Sequence, residues 1–238
     1  MTGAPRLEES EPVNTTLAIR PRRVLLVAVV ALVIGALALA LAPSSHHGHG
    51  TTVSAASRAS RSTFHDAMRQ LWEDHIVWTR MVIVSVADDL PDLPVAVDRL
   101  LGNQDDIGDA IKPFYGDAAG EELSRLLREH ITGAADLLAA AKAGDADAVA
   151  EASAAWYANG DAIATFLATA NPRNWELDEM KAMMRDHLDL TLQEAVARLE
   201  GRYADDAAAY DEIHVQILHM ADMLSDGILA QFPAPFDR

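Results

Sequence analysis

From about Phe64 onward, apolar residues recur every three to four positions, the spacing of helices that bury one face. Turn-forming residues cut this pattern into six segments. The first covers about 64–89 and stops at Pro91 and Pro94. The second is short, about 95–111, and ends at Pro113 in PFYG. The third covers about 120–143 and ends in KAGD, with Gly144 as C-cap and Asp145 or Asp147 opening the next helix. The fourth, about 147–170, stops at Asn171-Pro172. The fifth runs from near Glu176 to about Leu199, where Gly201 breaks or kinks it. The sixth runs from about Tyr203 to Gln231, ahead of Pro233. Short links between long helices make neighbours antiparallel. The expected fold over 63–238 is all-α: an up-and-down bundle of four or five long helices and one short one. No repeat of 20–50 residues stands out.

Ahead of the bundle the pattern changes. Residues 24–42, VLLVAVVALVIGALALALA, carry no charge and would span roughly 28 Å as a helix, about one hydrocarbon core. Arg20, Arg22 and Arg23 precede them, and the next charged side chain is Arg58. The positive-inside rule keeps residues 1–23 in the cytoplasm as a tail and sends the rest outside. The expectation is an N-terminal single transmembrane helix anchoring an extracytoplasmic body in the cell membrane. A cleaved signal peptide is the rival. Its apolar stretch is usually about 7–15 residues, and Pro43 would follow the cut after Ala40-Leu41-Ala42. Residues 43–62 read as a flexible linker. Its histidines, His46, His47 and His49, form a tract of the kind that binds metal loosely or are incidental.

Composition narrows the function. The 238 residues carry a net charge of −17 and are half apolar. Such an acidic surface repels nucleic acid and anionic lipid, and attracts cations. The absence of cysteine excludes disulfides, thiolate zinc sites and cysteine nucleophiles. There is no GxGxxG, GxxxxGKS, HExxH or GxSxG motif.

Four histidines interrupt the apolar faces. On a helical wheel His75 lies within about 40° of Phe64, Met68, Leu71, Val82 and Val86. His130 lies equally close to Leu123, Leu126, Leu137 and Ala141. His187 falls among Met180, Met183 and Met184, and His214 shares a face with Tyr210, Leu218, Ala221 and Ile228. His219 points away and His65 lies at an edge. One buried histidine is usually a hydrogen-bonded core residue. Four at similar heights on four helices suggest a shared polar centre, because each unsatisfied ring nitrogen is costly. Neutral imidazole suits zinc, copper, iron or nickel. Asp211, one turn before His214, and Glu194, two turns after His187, are candidate carboxylate ligands. Asn159 lies in the stripe of Trp156, Ile163 and Phe166. Glu194 also reads as an ordinary ion pair with Arg198. A carboxylate-bridged di-iron centre, which uses two Glu-x-x-His pairs, fits poorly, since only one such spacing is present and it carries Asp211 in place of Glu.

LWEDHIVWTR (71–80), NQDDIG (103–108) with PFYG (113–116), AAKAGD (140–145), WYANGDAIATFLATANP (156–172), DHLDLT (186–191) and YDEIHVQILHMADMLSDGI (210–228) together resemble a family of uncharacterised helical proteins common in Gram-positive bacteria. The resemblance covers about 64–236. Members carry the labels acetylglutamate kinase and glycosyltransferase, which would need nucleotide-binding α/β domains for which this chain has no residues. The family's motifs include the positions of His75, His130, His187 and His214, which implies a shared role for them.

The functional expectation is a bundle that binds a transition metal ion through His75, His130, His187 and His214, helped by Asp211 or Glu194. It would store, sense or deliver the ion without bond-making chemistry. The alternative is a ligand-sensing or protein-interaction bundle whose histidines form a structural hydrogen-bond network. An oxidative metalloenzyme is a third reading, weakened by the low carboxylate count.

Overall fold

The computed structural model describes residues 55–236. The chain divides into two compact units, residues 1–41 and 42–238. The first lies wholly outside the described residues, as do the expected tail and anchor and the linker as far as residue 54. Among the described residues no helix is long and apolar enough to cross a membrane.

Six helices and no strand form the described part: α1 (Ala55–Ala87), α2 (Leu93–Tyr115), α3 (Asp117–Ala143), α4 (Ala146–Ala170), α5 (Leu177–Leu199) and α6 (Tyr203–Gln231). The all-α expectation holds, with two differences. The second helix is not short, since its 23 residues equal those of α5. The last part of the expected linker, AASRASRS (55–62), is the first two turns of α1. Nothing in that stretch breaks a helix, and alanine and arginine favour one.

Helix ends follow local chemistry. Gly144 takes the left-handed conformation after α3, with φ 71°, which glycine adopts without steric penalty. The Asp145 side chain then accepts from Ala148 N and caps α4. Glu176 caps α5 in the same way through Glu179 N. Gly201, with φ 72°, turns the chain between α5 and α6. Helix α2 runs two residues past Pro113 and ends at Gly116, with φ 85°. Proline so near a C-terminus removes only one bond of the last turn.

Each helix packs against its sequence neighbours, and α6 closes back onto α1. The result is a closed ring of three helical hairpins, α1–α2, α3–α4 and α5–α6. A main core of Met68, Trp72, Ile107, Leu123, Trp156, Ile163, Leu188, Ile217 and their neighbours fills it. A smaller cluster of Val82, Ala96, Leu100 and Ile131 joins the first three helices near one end. The α4–α5 turn docks on α6, where Asn171 Nδ2 donates to Gly227 O at 2.8 Å.

Helices α2 and α3 cross closely at two glycines. A Cβ on Gly108 would lie 2.5 Å from Gly120 O, and one on Gly120 would lie 2.6 Å from Gly108 O. The two backbones touch there, and any side chain must push the helices apart. Gly108→Ala is therefore expected to destabilise by about 1–3 kcal/mol, lowering Tm by roughly 5 °C. Gly102 has nothing within 4 Å of its would-be Cβ, so Gly102→Ala should raise stability by about 0.5–1 kcal/mol through helix propensity. Thermal melts of the two variants check the pair.

Candidate functional site

The site lies across the middle of the ring. His75 sits twelve residues before the end of α1, His130 thirteen before the end of α3, and His187 twelve before the end of α5. Helices α1, α3 and α5 run in the same direction, so these counts place all three at one level, roughly 18 Å from that end. The even helices run back, and Gln104, Asn159 and Gln216 lie eleven to thirteen residues from their starts. Each of the six helices thus brings one polar side chain to the level, histidine from the odd helices and carboxamide from the even ones.

The three histidines are 2%, 3% and 5% exposed. The His187 ring is central, with its centroid 5.7 Å from that of His75 and 6.4 Å from that of His130. Trp156 stacks on His130 at 5.2 Å, and Trp72 meets His75 edge-on at 5.9 Å.

Each Nδ1 is held by the carboxamide of its own hairpin. His130 Nδ1 donates to Asn159 Oδ1 at 3.0 Å, and His187 Nδ1 donates to Gln216 Oε1 at 3.2 Å. The direction follows from the amides. Asn159 Nδ2 donates to Leu126 O and Gln216 Nε2 to Met183 O, so in both cases the oxygen faces the imidazole. Both rings therefore carry their hydrogen on Nδ1 and a lone pair on Nε2. The first hairpin differs. Gln104 Nε2 donates to Leu100 O at 2.9 Å and to Asn103 Oδ1 at 3.1 Å, and faces His75 Nδ1 at 3.2 Å. An amide nitrogen accepts no hydrogen bond, so His75 Nδ1 faces it with a lone pair that shares one of the two Gln104 hydrogens, and the ring's own hydrogen sits on Nε2. Gln104 Oε1 and Trp72 Nε1 are buried without a partner. Among the described residues no hydrogen bond reaches Nε2 of any of the three rings.

The geometry exposes a repeat that the sequence reading passed over. Histidine and carboxamide are 29 residues apart in every hairpin. LWEDHI (71–76), LLREHI (126–131) and MMRDHL (183–188) share one pattern: two large apolar residues, any residue, an acid, histidine, then a branched aliphatic. The period is 55 to 57 residues, longer than the 20–50 window that covers most solenoid repeats. Asn159 and Gln216 each also donate to the carbonyl four residues before their histidine. In the first hairpin Asn103 makes that bond, to Leu71 O at 3.0 Å, and two residues share the work of one.

Three expected ligands lie elsewhere. His214 reaches the right level but the wrong face: it is half-buried, and its Nε2 lies 2.9 Å from Glu73 Oε1. The buried stripe of α6 centres on Ile213, Ile217, Met220 and Leu224, which turns Gln216 inward and His214 to the margin. Asp211 is exposed. Glu194 is buried, yet its partner is Arg80 at 2.5 Å, not Arg198. Arg80 also holds the buried Asp206 at 2.6 Å, and Arg198 pairs with Asp88. This charged layer fastens α1, α5 and α6 nearer the end of the bundle. Among the described residues no group of three or more histidines and carboxylates has a ready metal-holding arrangement. No family model, curated protein or solved structure matches the chain.

Burial keeps the rings neutral. It drives His75 well below the ordinary histidine value, with a smaller push from His187 and His130. It brings His130 down to about 3 and His187 to about 4, against the pull of their amides. The unfolded chain protonates its histidines near 6.5. Below that pH it binds more protons than the folded chain, so stability present above 6.5 is lost as pH falls toward 4. Glu194 acts in the opposite sense, since burial raises it to about 7 despite Arg80 and its contribution is lost as pH rises through 7. Three rings at about 2 kcal/mol each at pH 5 outweigh one carboxyl. Tm should fall by roughly 5–10 °C from pH 7 to pH 5, and less in His187→Gln. A melt series in matched ionic strength checks this.

Proposed function

We propose that the bundle binds a transition metal ion through the imidazoles of His75, His130 and His187, and stores, senses or delivers it. The observation behind this reading is that three buried neutral rings share one level while no hydrogen bond among the described residues reaches their Nε2 atoms. An amide or carboxylate on the outer nitrogen is the usual support for a metal-bound histidine, because it fixes tautomer and ring orientation. Glu194 already pairs with Arg80, so it supplies no ligand. In this reading residues 24–42 anchor the bundle at the outer face of the cell membrane.

A second reading keeps the same rings as a structural network inside a ligand-sensing or protein-interaction bundle. The Gln104 contact favours it, since that amide donates to His75 where a metal site would accept.

Metal analysis distinguishes the two. Full-length protein purified without an affinity tag, with His46, His47 and His49 replaced by serine, should carry about one ion per chain after equilibration and dialysis. His130→Ala and His187→Ala should each remove it, and His214→Ala should not. Unchanged stoichiometry in the first two variants, or no rise in Tm at saturating metal where linkage requires one, favours the structural network. For the anchor, the chain should stay with membranes in alkaline carbonate, and external protease should reach the bundle in spheroplasts.

A further inference from the structure

The donor set narrows the choice of ion. Resting on the metal-binding reading above, we propose that the ion is cuprous copper, held as a linear pair by the Nε2 atoms of His130 and His187. Every group at that level is neutral: three imidazoles, the amides of Gln104, Asn159 and Gln216, and the indoles of Trp72 and Trp156. The buried carboxylates Glu194 and Asp206 are both taken by Arg80. An ion entering here finds no counter-charge. Desolvation scales with the square of charge, so a divalent ion would lose about four times as much as a monovalent one.

Coordination number points the same way. Zinc takes four ligands in tetrahedral geometry, with a water or carboxylate completing three histidines. A cuprous ion is satisfied by two or three neutral nitrogens. Metal–nitrogen bonds of about 2 Å at a trigonal angle set ring centroids roughly 5.5 Å apart, and a linear pair sets them roughly 6 Å apart. The 6.4 Å between the His130 and His187 rings matches the linear pair and not the roughly 5 Å of a tetrahedral one.

Two lone pairs, on His130 and His187, are ready. His75 stays outside the ligand set, since turning the Gln104 carboxamide toward it would set Oε1 against the oxygens of Leu100 and Asn103. Both ligand rings keep their hydrogen on Nδ1, so loading releases no proton.

The test uses the full chain with the 46–49 histidines replaced by serine. Cu(I), supplied anaerobically as its acetonitrile complex, is titrated against bicinchoninate, and Zn²⁺ against a chromogenic zinc chelator. One Cu(I) per chain is expected, bound at least a thousandfold more tightly than Zn²⁺. His187→Gln, with its helical circular dichroism retained, should lose at least a hundredfold in Cu(I) affinity. Asn159→Asp places a negative charge behind His130 and should narrow the Cu(I) preference over Zn²⁺ at least tenfold. If Zn²⁺ binds these rings as tightly as Cu(I), the cuprous assignment is overturned while the metal-binding reading stands. If neither ion binds, or if both bind unchanged in His187→Gln, both fall.

Discussion

A buried imidazole has two nitrogens to satisfy, and in this bundle the three rings are withdrawn from bulk solvent. That requirement explains the middle of the molecule. Leaving a buried donor or acceptor unpaired costs about 1–3 kcal/mol, so each histidine must bring its partner from a neighbouring helix at the same height. The hairpins meet it at Nδ1, and the second and third do so with one device. Histidine on the outgoing helix bonds a carboxamide on the returning helix, and the amide's other end bonds the backbone one turn before the histidine. Such a double attachment fixes hairpin register at the level where an error would cost most.

The device is imperfect in the first hairpin, and the imperfection sets the tautomers of the rings. Asn103 and Gln104 divide the role that one residue fills elsewhere. The result is one ring with its hydrogen on Nε2, two with a lone pair there, and an orphaned amide oxygen.

Polar layers are separated along the bundle. The neutral layer of imidazoles and amides lies mid-length, and the layer of Arg80, Glu194, Asp206 and Arg198 lies nearer one end. The separation keeps carboxylates away from the imidazoles, whose pKa values are lowered chiefly by burial. It also ties α1, α5 and α6 together where the ring of helices closes.

Most of the helix ends were legible in the sequence because their determinants act within a few residues. Gly144 and Asp145, Asn171-Pro172 and Gly201 each act on their own backbone, and no distant contact overrides them. The height of the histidines was legible too, since helical rise is constant. Rotation was not. His214 and Gln216 differ by two residues and lie at nearly the same height, and which one faces inward depends on how α6 settles against α1 and α5. Ile213, Ile217, Met220 and Leu224 won that contest. The pairing of Glu194 with Arg80, 114 residues away, could be decided only once α1 and α5 were side by side. Even the 29-residue spacing is plain in the sequence only after the structure shows which partners it joins, because a hydrogen bond between two helices leaves no periodicity within either one.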